Sequence, residues 1–303
     1  MTVQSNDYLN PDTPSPNDIT VVLAALNEEE AIGEVIDKLR EEGFENIIVI
    51  DGYSTDGTIN IAVSKKVKVI QQHWEGKAGA IKTALDYVLT PYVVFMDADG
   101  TYSPSDIYKL LIHAKKYVEV IGKRDRDGIS RLHKIGNSLI NKLFSLVFST
   151  DVGDVLSGMY LIKTDVARQF SLNSKSFEIE VEIASQALQR GKVTYVPIRY
   201  GKRKGRAKLS SYKDGLKILL YILKMAKDQN PVLFYSILVT SLVLPGSLLL
   251  GYTILEYMLH GIFHSGYALI AVTLILIGMQ GLTTMGISSM IKRLEYSISK
   301  EKR

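Results

Sequence analysis

A chain of 303 residues with 46% apolar residues and a formal net charge of +4 has room for a sizeable core and carries no strong electrostatic bias. It contains no cysteine, which excludes a disulfide scaffold, a thiolate metal site and a cysteine nucleophile. The charge permits an anionic partner such as a phosphate or lipid headgroup without demanding one.

Residues 1–18 are polar and rich in Pro, Asn, Asp and Ser, so a disordered tail and a cytosolic start are expected rather than a signal peptide. From there strand-like and helix-like patterns alternate. Ile19–Leu23 reads as a strand, Glu28–Glu41 as a helix closed by Gly43, and Asn46–Ile50 as a strand ending in Asp51. A helix over Thr58–Lys65, a strand over Val67–Ile70, a helix over Lys77–Leu89 and a buried strand over Pro91–Met96 follow. This spacing predicts a mainly parallel α/β sheet with helices on both faces.

Polar residues recur at matching places. Asn27 and Glu28 follow the first strand, Asp51 the second, Gly76 and Lys77 open the helix after the third, and Asp97 and Asp99 follow the fourth. All would lie at the C-terminal edge of the sheet, where open α/β folds bind ligands. Asp97 and Asp99, two apart in extended chain, aim hard oxygen donors at one point, which suits Mg²⁺ or Mn²⁺ bridging phosphates. The plainer alternative is a solvated strand end that turns at Gly100. There is no Gly-x-Gly-x-x-Gly loop and no Walker lysine, so dinucleotide and P-loop readings are weak. Glu178, Glu180 and Glu182 could face a ligand at that edge or form a solvated helix face.

Further along, Arg131–Phe148 and Tyr212–Lys227 are amphipathic. The first has Leu139, Ile140, Leu143, Phe144, Val147 and Phe148 as its apolar face; the second gathers Lys213, Lys217, Lys224 and Lys227 on one side. Both suit a membrane interface, with an ordinary core-packed helix as the alternative. Val232–Leu255 and Tyr267–Met290 carry no charge. At roughly 24 residues each they can span a bilayer. The connector Glu256–Gly266 lacks Lys and Arg, whereas the flanks carry Lys224, Lys227, Lys292 and Arg293. The positive-inside bias therefore places both termini and the α/β unit in the cytoplasm, with the short connector outside. The expected organisation is a tail over 1–18, an α/β unit over 19–211, an interfacial helix over 212–230 and a hairpin over 231–303, with spans near 232–255 and 267–290.

In this order the motifs resemble those of family-two glycosyltransferases with the Rossmann-like GT-A fold, and more narrowly the polyprenyl-phosphate sugar synthases of the dolichol-phosphate mannose synthase type. The resemblance covers nearly the whole cytosolic unit. Its motifs are Leu26-Asn27-Glu28-Glu29, Asp51-Gly52-Tyr53-Ser54-Thr55-Asp56-Gly57-Thr58, Asp97-Ala98-Asp99, Gly122-Lys123-Arg124, Asp154-Val155-Leu156-Ser157-Gly158-Met159 and the basic stretch Tyr200–Leu209. It departs from the family at Ala24 for Pro, at Gly52 for a second Asp, and at Thr101, where mannose synthases commonly carry a Gln metal ligand. Asp97–Tyr102 and Phe177–Glu182 look more like archaeal enzymes using UDP-glucose or UDP-N-acetylglucosamine, with GDP-mannose the next choice.

The resemblance implies metal-dependent, inverting transfer of a hexose from a nucleotide-diphosphate sugar to a dolichyl or polyprenyl phosphate. It implies metal ligation by Asp97, Asp99 and Thr101. The nucleotide sugar would meet Leu26, Glu28, Asp51, Gly76, Lys77, Asp97, Arg203 and Lys208. The planar forks of Arg124 and Arg131 would take the acceptor phosphate, which already carries its negative charge and has little need of a strong general base. The implied setting is a multi-pass protein of the cell or an ER-equivalent membrane; self-association stays open. A transferase for another lipid or a polysaccharide and a non-catalytic nucleotide-binding scaffold are the alternatives. A nucleic-acid partner is rejected: Lys202–Arg206 is basic but has no aromatic platform.

Overall fold

The computed structural model describes residues 13–125, 131–174, 178–204 and 211–301, with the backbone alone for 131–133, 211–214, 293 and 295–301. The chain divides into two compact units, Met1–Leu219 and Leu220–Arg303.

The first unit is built on a seven-stranded sheet in the order β3-β2-β1-β4-β6-β5-β7. The strands are β1 (Ile19–Ala25), β2 (Ile47–Asp51), β3 (Lys68–Gln71), β4 (Tyr92–Asp97), β5 (Glu119–Arg124), β6 (Tyr160–Lys163) and β7 (Val193–Ile198). β1 pairs in parallel with β2 and β4, β2 with β3, and β5 with β7, whereas β6 runs antiparallel between β4 and β5. The central strands are continuous apolar runs because both faces are covered. Among the described residues its helices are α1 (Ile32–Glu41), α2 (Thr58–Ser64), α3 (Gly76–Tyr87), α4 (Ile107–Leu111), α5 (Arg131–Phe148), α6 (Thr164–Ala167), α7 (Ile179–Arg190) and the first part of the helix that begins at Ser211. Ile32, Val35, Ile36 and Leu39 of α1 and Ile107, Leu110 and Leu111 of α4 join Val94, Met96, Val120 and Leu161 in one core.

Two expectations are corrected here. The helix expected from Glu28 begins only at Ile32. Asn27 takes a positive φ of 50°, and the N–H groups of Glu28 and Glu29 donate to Thr58 Oγ1 and Asp56 Oδ2, so tertiary contacts displace the first helical turn. Within the expected disordered tail, residues 1–12 lie outside the described residues, but Pro16–Asp18 form a 3-10 turn. Asp18 closes it by accepting from the N–H and hydroxyl of Ser15.

The helix α8 (Ser211–Gln229) leads to the second unit, a pair of helices α9 (Pro231–His260) and α10 (Ser265–Glu301). Asn230 caps α9 by accepting from the Leu233 N–H, and Gly261 ends it in the left-handed conformation. A Cβ on Gly278 would fall 2.4 Å from Val243 and one on Gly246 would fall 3.0 Å from the Ala271 carbonyl, so glycines let these helices approach closely. Pro231–His260 and Ser265–Lys292 are each long and apolar enough to cross a membrane, and only 11% of either apolar stretch is buried. Such exposure suits lipid rather than water as the surrounding solvent.

Glu119 opens β5 on the sheet face it shares with Tyr160 and Phe95, and it is fully buried. Its Oε2 has no hydrogen-bond partner among the described residues, and burial pushes its pKa from 4.5 up to about 8. A carboxyl raised in this way favours folding below its unfolded pKa, and that contribution is lost as pH climbs through the folded value. Glu119→Gln keeps the shape and removes the titration. Between about pH 6 and about pH 9 the parent protein should lose several degrees of melting temperature that the variant retains. Identical pH profiles in a thermal-shift measurement would show that Glu119 is not a neutral acid in the fold.

Candidate active site

The chemistry-bearing side chains of the first unit converge where β1, β2, β4 and β5 end. Asp51 closes β2 fully buried, and its Oδ2 accepts from the N–H groups of Tyr53 and Ser54 at 2.9 and 3.0 Å. That grip holds Tyr53 at a φ of 67°, a conformation unfavourable for a bulky residue. Asp51 Oδ1, buried and without a partner among the described residues, remains as an acceptor for an incoming N–H or O–H.

Asp97 ends β4 and Asp99 follows it. Lys77, near the start of α3, donates to Asp97 Oδ1 at 2.7 Å and sits 2.6 Å from Glu180 Oε1 on α7. Burial alone would lower the pKa of Lys77, but the charges of Asp97 and Glu180 outweigh it and hold the ammonium well above its ordinary value. Burial in turn pushes the Glu180 carboxyl up, against the pull of Lys77. Asp99 Oδ1 accepts from the N–H and hydroxyl of Thr101 at 3.0 and 2.6 Å, and its Oδ2 lies 3.0 Å from Arg203 Nη1. Arg203 Nη2 also donates to Glu28 Oε1 at 2.6 Å. The segment carrying Arg203 is stitched to the Asp99 loop: Gly201 N–H donates to the Thr101 carbonyl, Lys204 N–H to the Asp99 carbonyl, and Tyr200 bridges Tyr102.

Asp97 and Asp99 offer hard oxygen donors of the kind a divalent ion takes, and among the described residues no third His, Cys, Asp or Glu completes a set of three around one point, so a bound diphosphate would have to supply the remaining oxygens. Gly158 makes room for the Asp97 carboxylate itself. A Cβ there would lie 2.1 Å from Asp97 Oδ2, while the Gly158 N–H is held by the Tyr102 hydroxyl at 2.8 Å.

Beside this cluster, Lys123, Arg124, Lys134, Asn137, Asn141, Gly153 and Asp154 line a small basic recess. Lys134, Asn137 and Asn141 recur at helical spacing along α5 and point to one side. Asn141 Oδ1 holds the Val155 N–H at 2.8 Å.

The expected site residues are distributed as follows. Glu28, Asp51, Lys77, Asp97, Asp99, Thr101 and Arg203 are joined by these contacts or lie on adjoining strand ends. Gly76 adopts a φ of 74° where α3 begins, and Leu26 is exposed beside β1. Thr101, expected as a metal ligand, donates its hydroxyl to Asp99. Arg124, expected on the acceptor phosphate, donates through Nε and Nη2 to Asp154 at 2.6 and 2.9 Å, and its guanidinium lies over the Tyr200 ring. Lys208 and the side chain of Arg131 lie outside the described residues. Reading the sequence missed the recess residues Lys134, Asn137 and Asn141, although their spacing was a usable signal. It also left Glu180 undecided between sugar and solvent, and did not anticipate Lys77 as its partner. Glu182 accepts from Asn173 and Ser174 and ties down the loop before α7.

Residues 20–171 match the sequence profile of Glycosyl transferase family 2. The chain is 34% identical over 276 residues to Glycosyltransferase AglJ of Haloferax volcanii, covering 88% of this chain and 91% of that one. It is 29% identical to a Dolichyl-phosphate hexose transferase of the same organism, over 71% of this chain and 96% of that protein. Among solved structures, glucosyl-3-phosphoglycerate synthase of Mycobacterium tuberculosis, crystallised with Mn²⁺, UDP and phosphoglyceric acid, superposes with a TM-score of 0.57 at 23% identity, covering 69% of this chain and 78% of that one. At that identity the likeness establishes the GT-A fold.

Gly158→Ala tests the space beside Asp97. The methyl group must move the carboxylate by about an ångström, and a displacement of that size can weaken a site roughly 100-fold. Mn²⁺ affinity should fall by one to two orders of magnitude on that basis while the melting temperature stays within a few degrees. Unchanged Mn²⁺ affinity would mean that Asp97 Oδ2 is not where the ion sits.

Proposed function

The chain belongs to glycosyl transferase family 2, and on that premise we propose that it transfers a hexose from a nucleotide-diphosphate sugar to a polyprenyl phosphate of the dolichyl kind. UDP-glucose or UDP-N-acetylglucosamine is the favoured donor and GDP-mannose the next. The observation that carries the acceptor is the two-faced character of α5. One side of this helix presents Lys134, Asn137 and Asn141 to the basic recess. The adjoining side exposes Ile135, Leu139 and Leu146. A phosphate on a long apolar tail asks for that pairing, a cationic pocket and a greasy stripe on one rigid element. Ile140, Phe144 and Val147 of the same helix are buried, so the outward stripe is surplus to the core.

The donor half follows from the strand ends. Asp51 Oδ1 offers an acceptor to the nucleoside, and Asp97 and Asp99 would hold Mg²⁺ or Mn²⁺ with the diphosphate. A bound divalent ion supplies Lewis-acid stabilisation of the departing nucleotide diphosphate. Lys77 fixes Asp97 from below, with Glu180 holding Lys77 in turn, and Thr101 fixes Asp99. In this reading Lys123 and Lys134 neutralise and aim the acceptor phosphate, and Asp154 locks the Arg124 guanidinium in place beside it. The acceptor oxygen is already anionic and attacks the anomeric carbon directly, inverting it. The name of the Haloferax volcanii dolichyl-phosphate hexose transferase supports the same acceptor class.

Membranes carrying the protein, supplied with radiolabelled UDP- and GDP-sugars and a long-chain polyprenyl phosphate, should yield a labelled lipid-phosphate sugar. Replacing Ile135, Leu139 and Leu146 together by Ser should lower kcat/KM with the long-chain lipid in vesicles by roughly tenfold or more, since each buried apolar side chain is worth about 1.5–3 kcal/mol. A water-soluble short-chain prenyl phosphate should lose much less. Equal losses on both acceptors, or no lipid product from any donor, would sink the lipid-phosphate reading.

For the membrane units we propose a hairpin with both ends in the cytoplasm and the loop between α9 and α10 outside, on the strength of the missing Lys and Arg in Glu256–Gly266. In this cysteine-free chain, Ser265→Cys should react with an impermeant thiol reagent on intact cells. Labelling that needs permeabilised cells reverses the orientation.

A further inference from the structure

Arg203 occupies a revealing position. Asp99 has one oxygen already taken, since Oδ1 accepts twice from Thr101. Its remaining oxygen, Oδ2, faces Arg203 Nη1 at 3.0 Å. A divalent ion taking Asp99 through Oδ2 would share that oxygen with Arg203. A guanidinium and a dication on one carboxylate oxygen would stand within about 4 Å of each other, and like charges so close in a partly buried site repel. Arg203 in this position therefore opposes metal binding at Asp99.

Three features mark the present position of Arg203 as temporary. Its Nε is buried and lacks a partner among the described residues, which is uncommon for a guanidinium in a finished site. Its second hold is Glu28 Oε1, at 2.6 Å, on a different loop from Asp99. Its backbone is anchored on both sides, by Gly201 N–H on the Thr101 carbonyl and Lys204 N–H on the Asp99 carbonyl, with Lys204 also paired to Glu34. The side chain can therefore swing while the chain beneath it stays put.

We propose that Arg203 is the built-in counter-ion of the metal seat, and that loading the site exchanges cations: the divalent ion takes Asp99, and Arg203, kept within reach by Glu28, turns onto the donor diphosphate. The inference rests on the nucleotide-sugar reading given above and adds an order to it. Metal alone competes with Arg203 and binds weakly. Metal with a diphosphate gives Arg203 a better anion and binds tightly. By linkage, each of the two ligands strengthens the other by the same factor. Glu28 is then a positioning residue for Arg203.

The test measures free Mn²⁺ by electron paramagnetic resonance in titrations of the full-length protein in detergent, without nucleotide and then with UDP-glucose or GDP-mannose. The variants are Arg203→Met and Arg203→Lys, with Arg203→Gln as the second neutral variant should Arg203→Met lose its fold. Without nucleotide, Arg203→Met should bind Mn²⁺ about tenfold more tightly than the parent protein, within the usual range of site–site coupling. Arg203→Lys, which keeps the charge, should stay near the parent value. The extra tightening produced by the nucleotide sugar should shrink in the neutral variants. If the neutral variants bind Mn²⁺ alone no better than the parent while their affinity for the nucleotide sugar falls, Arg203 is a plain diphosphate clamp and the exchange is wrong. If no variant binds Mn²⁺ with or without either nucleotide sugar, the exchange and the metal-dependent reading fail together.

Discussion

Opposite charges facing one another across partly buried strand ends are what the rest of this site depends on. Asp97 and Asp99 leave the sheet one residue apart, and each meets a cation there. Lys77 answers Asp97 and Arg203 answers Asp99. Each cation is shared with a second carboxylate, Glu180 for Lys77 and Glu28 for Arg203. The two halves differ in burial. Lys77 and Glu180 are enclosed between α3, α7 and the sheet, so that pair is a fixed strut. Arg203 sits on a loop, so its pair can open.

Everything around these pairs serves their geometry. Glycine at 158 leaves the only side-chain size that does not collide with Asp97, and Tyr102 holds that glycine by its N–H. Gly79 similarly admits the Trp74 carbonyl, which a Cβ would approach to 1.9 Å, and so lets the loop before α3 fold over the start of that helix. Two of the four non-glycine residues with positive φ among the described residues, Asn27 and Tyr53, stand at the same edge; Asn27 N–H donates to Ser54 Oγ, and Tyr53 is held by its N–H on Asp51 and its hydroxyl on the Gln72 carbonyl. Strain kept at the rim of a rigid sheet marks a surface shaped for a ligand rather than for stability alone.

A comparable division of faces appears in α5. One face packs into the core through Ile140, Phe144 and Val147, a second lines a basic recess, and a third leaves Ile135, Leu139 and Leu146 outside. With one face in the core and a second against the recess, the helix has little freedom to drift. The second unit adds two long apolar helices whose glycines permit close contact, the packing favoured where lipid rather than water surrounds the chain.

Much of this was legible in the amino-acid order. The alternation of apolar runs with 3.6-periodic segments determined an α/β sheet, since strand and helix periods bury one face only in that arrangement, and the placement of Asn27, Glu28, Asp51, Lys77, Asp97 and Asp99 just after strands determined that they share one edge. The uncharged stretches near the C-terminus determined two helices of membrane-crossing length. What the sequence could not carry is pairing across long separations. Nothing local says that Arg203 meets Glu28, that Lys77 meets Glu180, or that Arg124 is taken by Asp154, because each pair is made by strand order and by the antiparallel insertion of β6 between β4 and β5. The start of α1 was misread for the same reason: capping contacts from Asp56 and Thr58, on another loop, overrode local helix propensity. Residue types and their spacing thus determined which groups stand at the edge; only the tertiary fold decided which charge neutralises which, because Coulomb energy depends on distance in space and not along the chain.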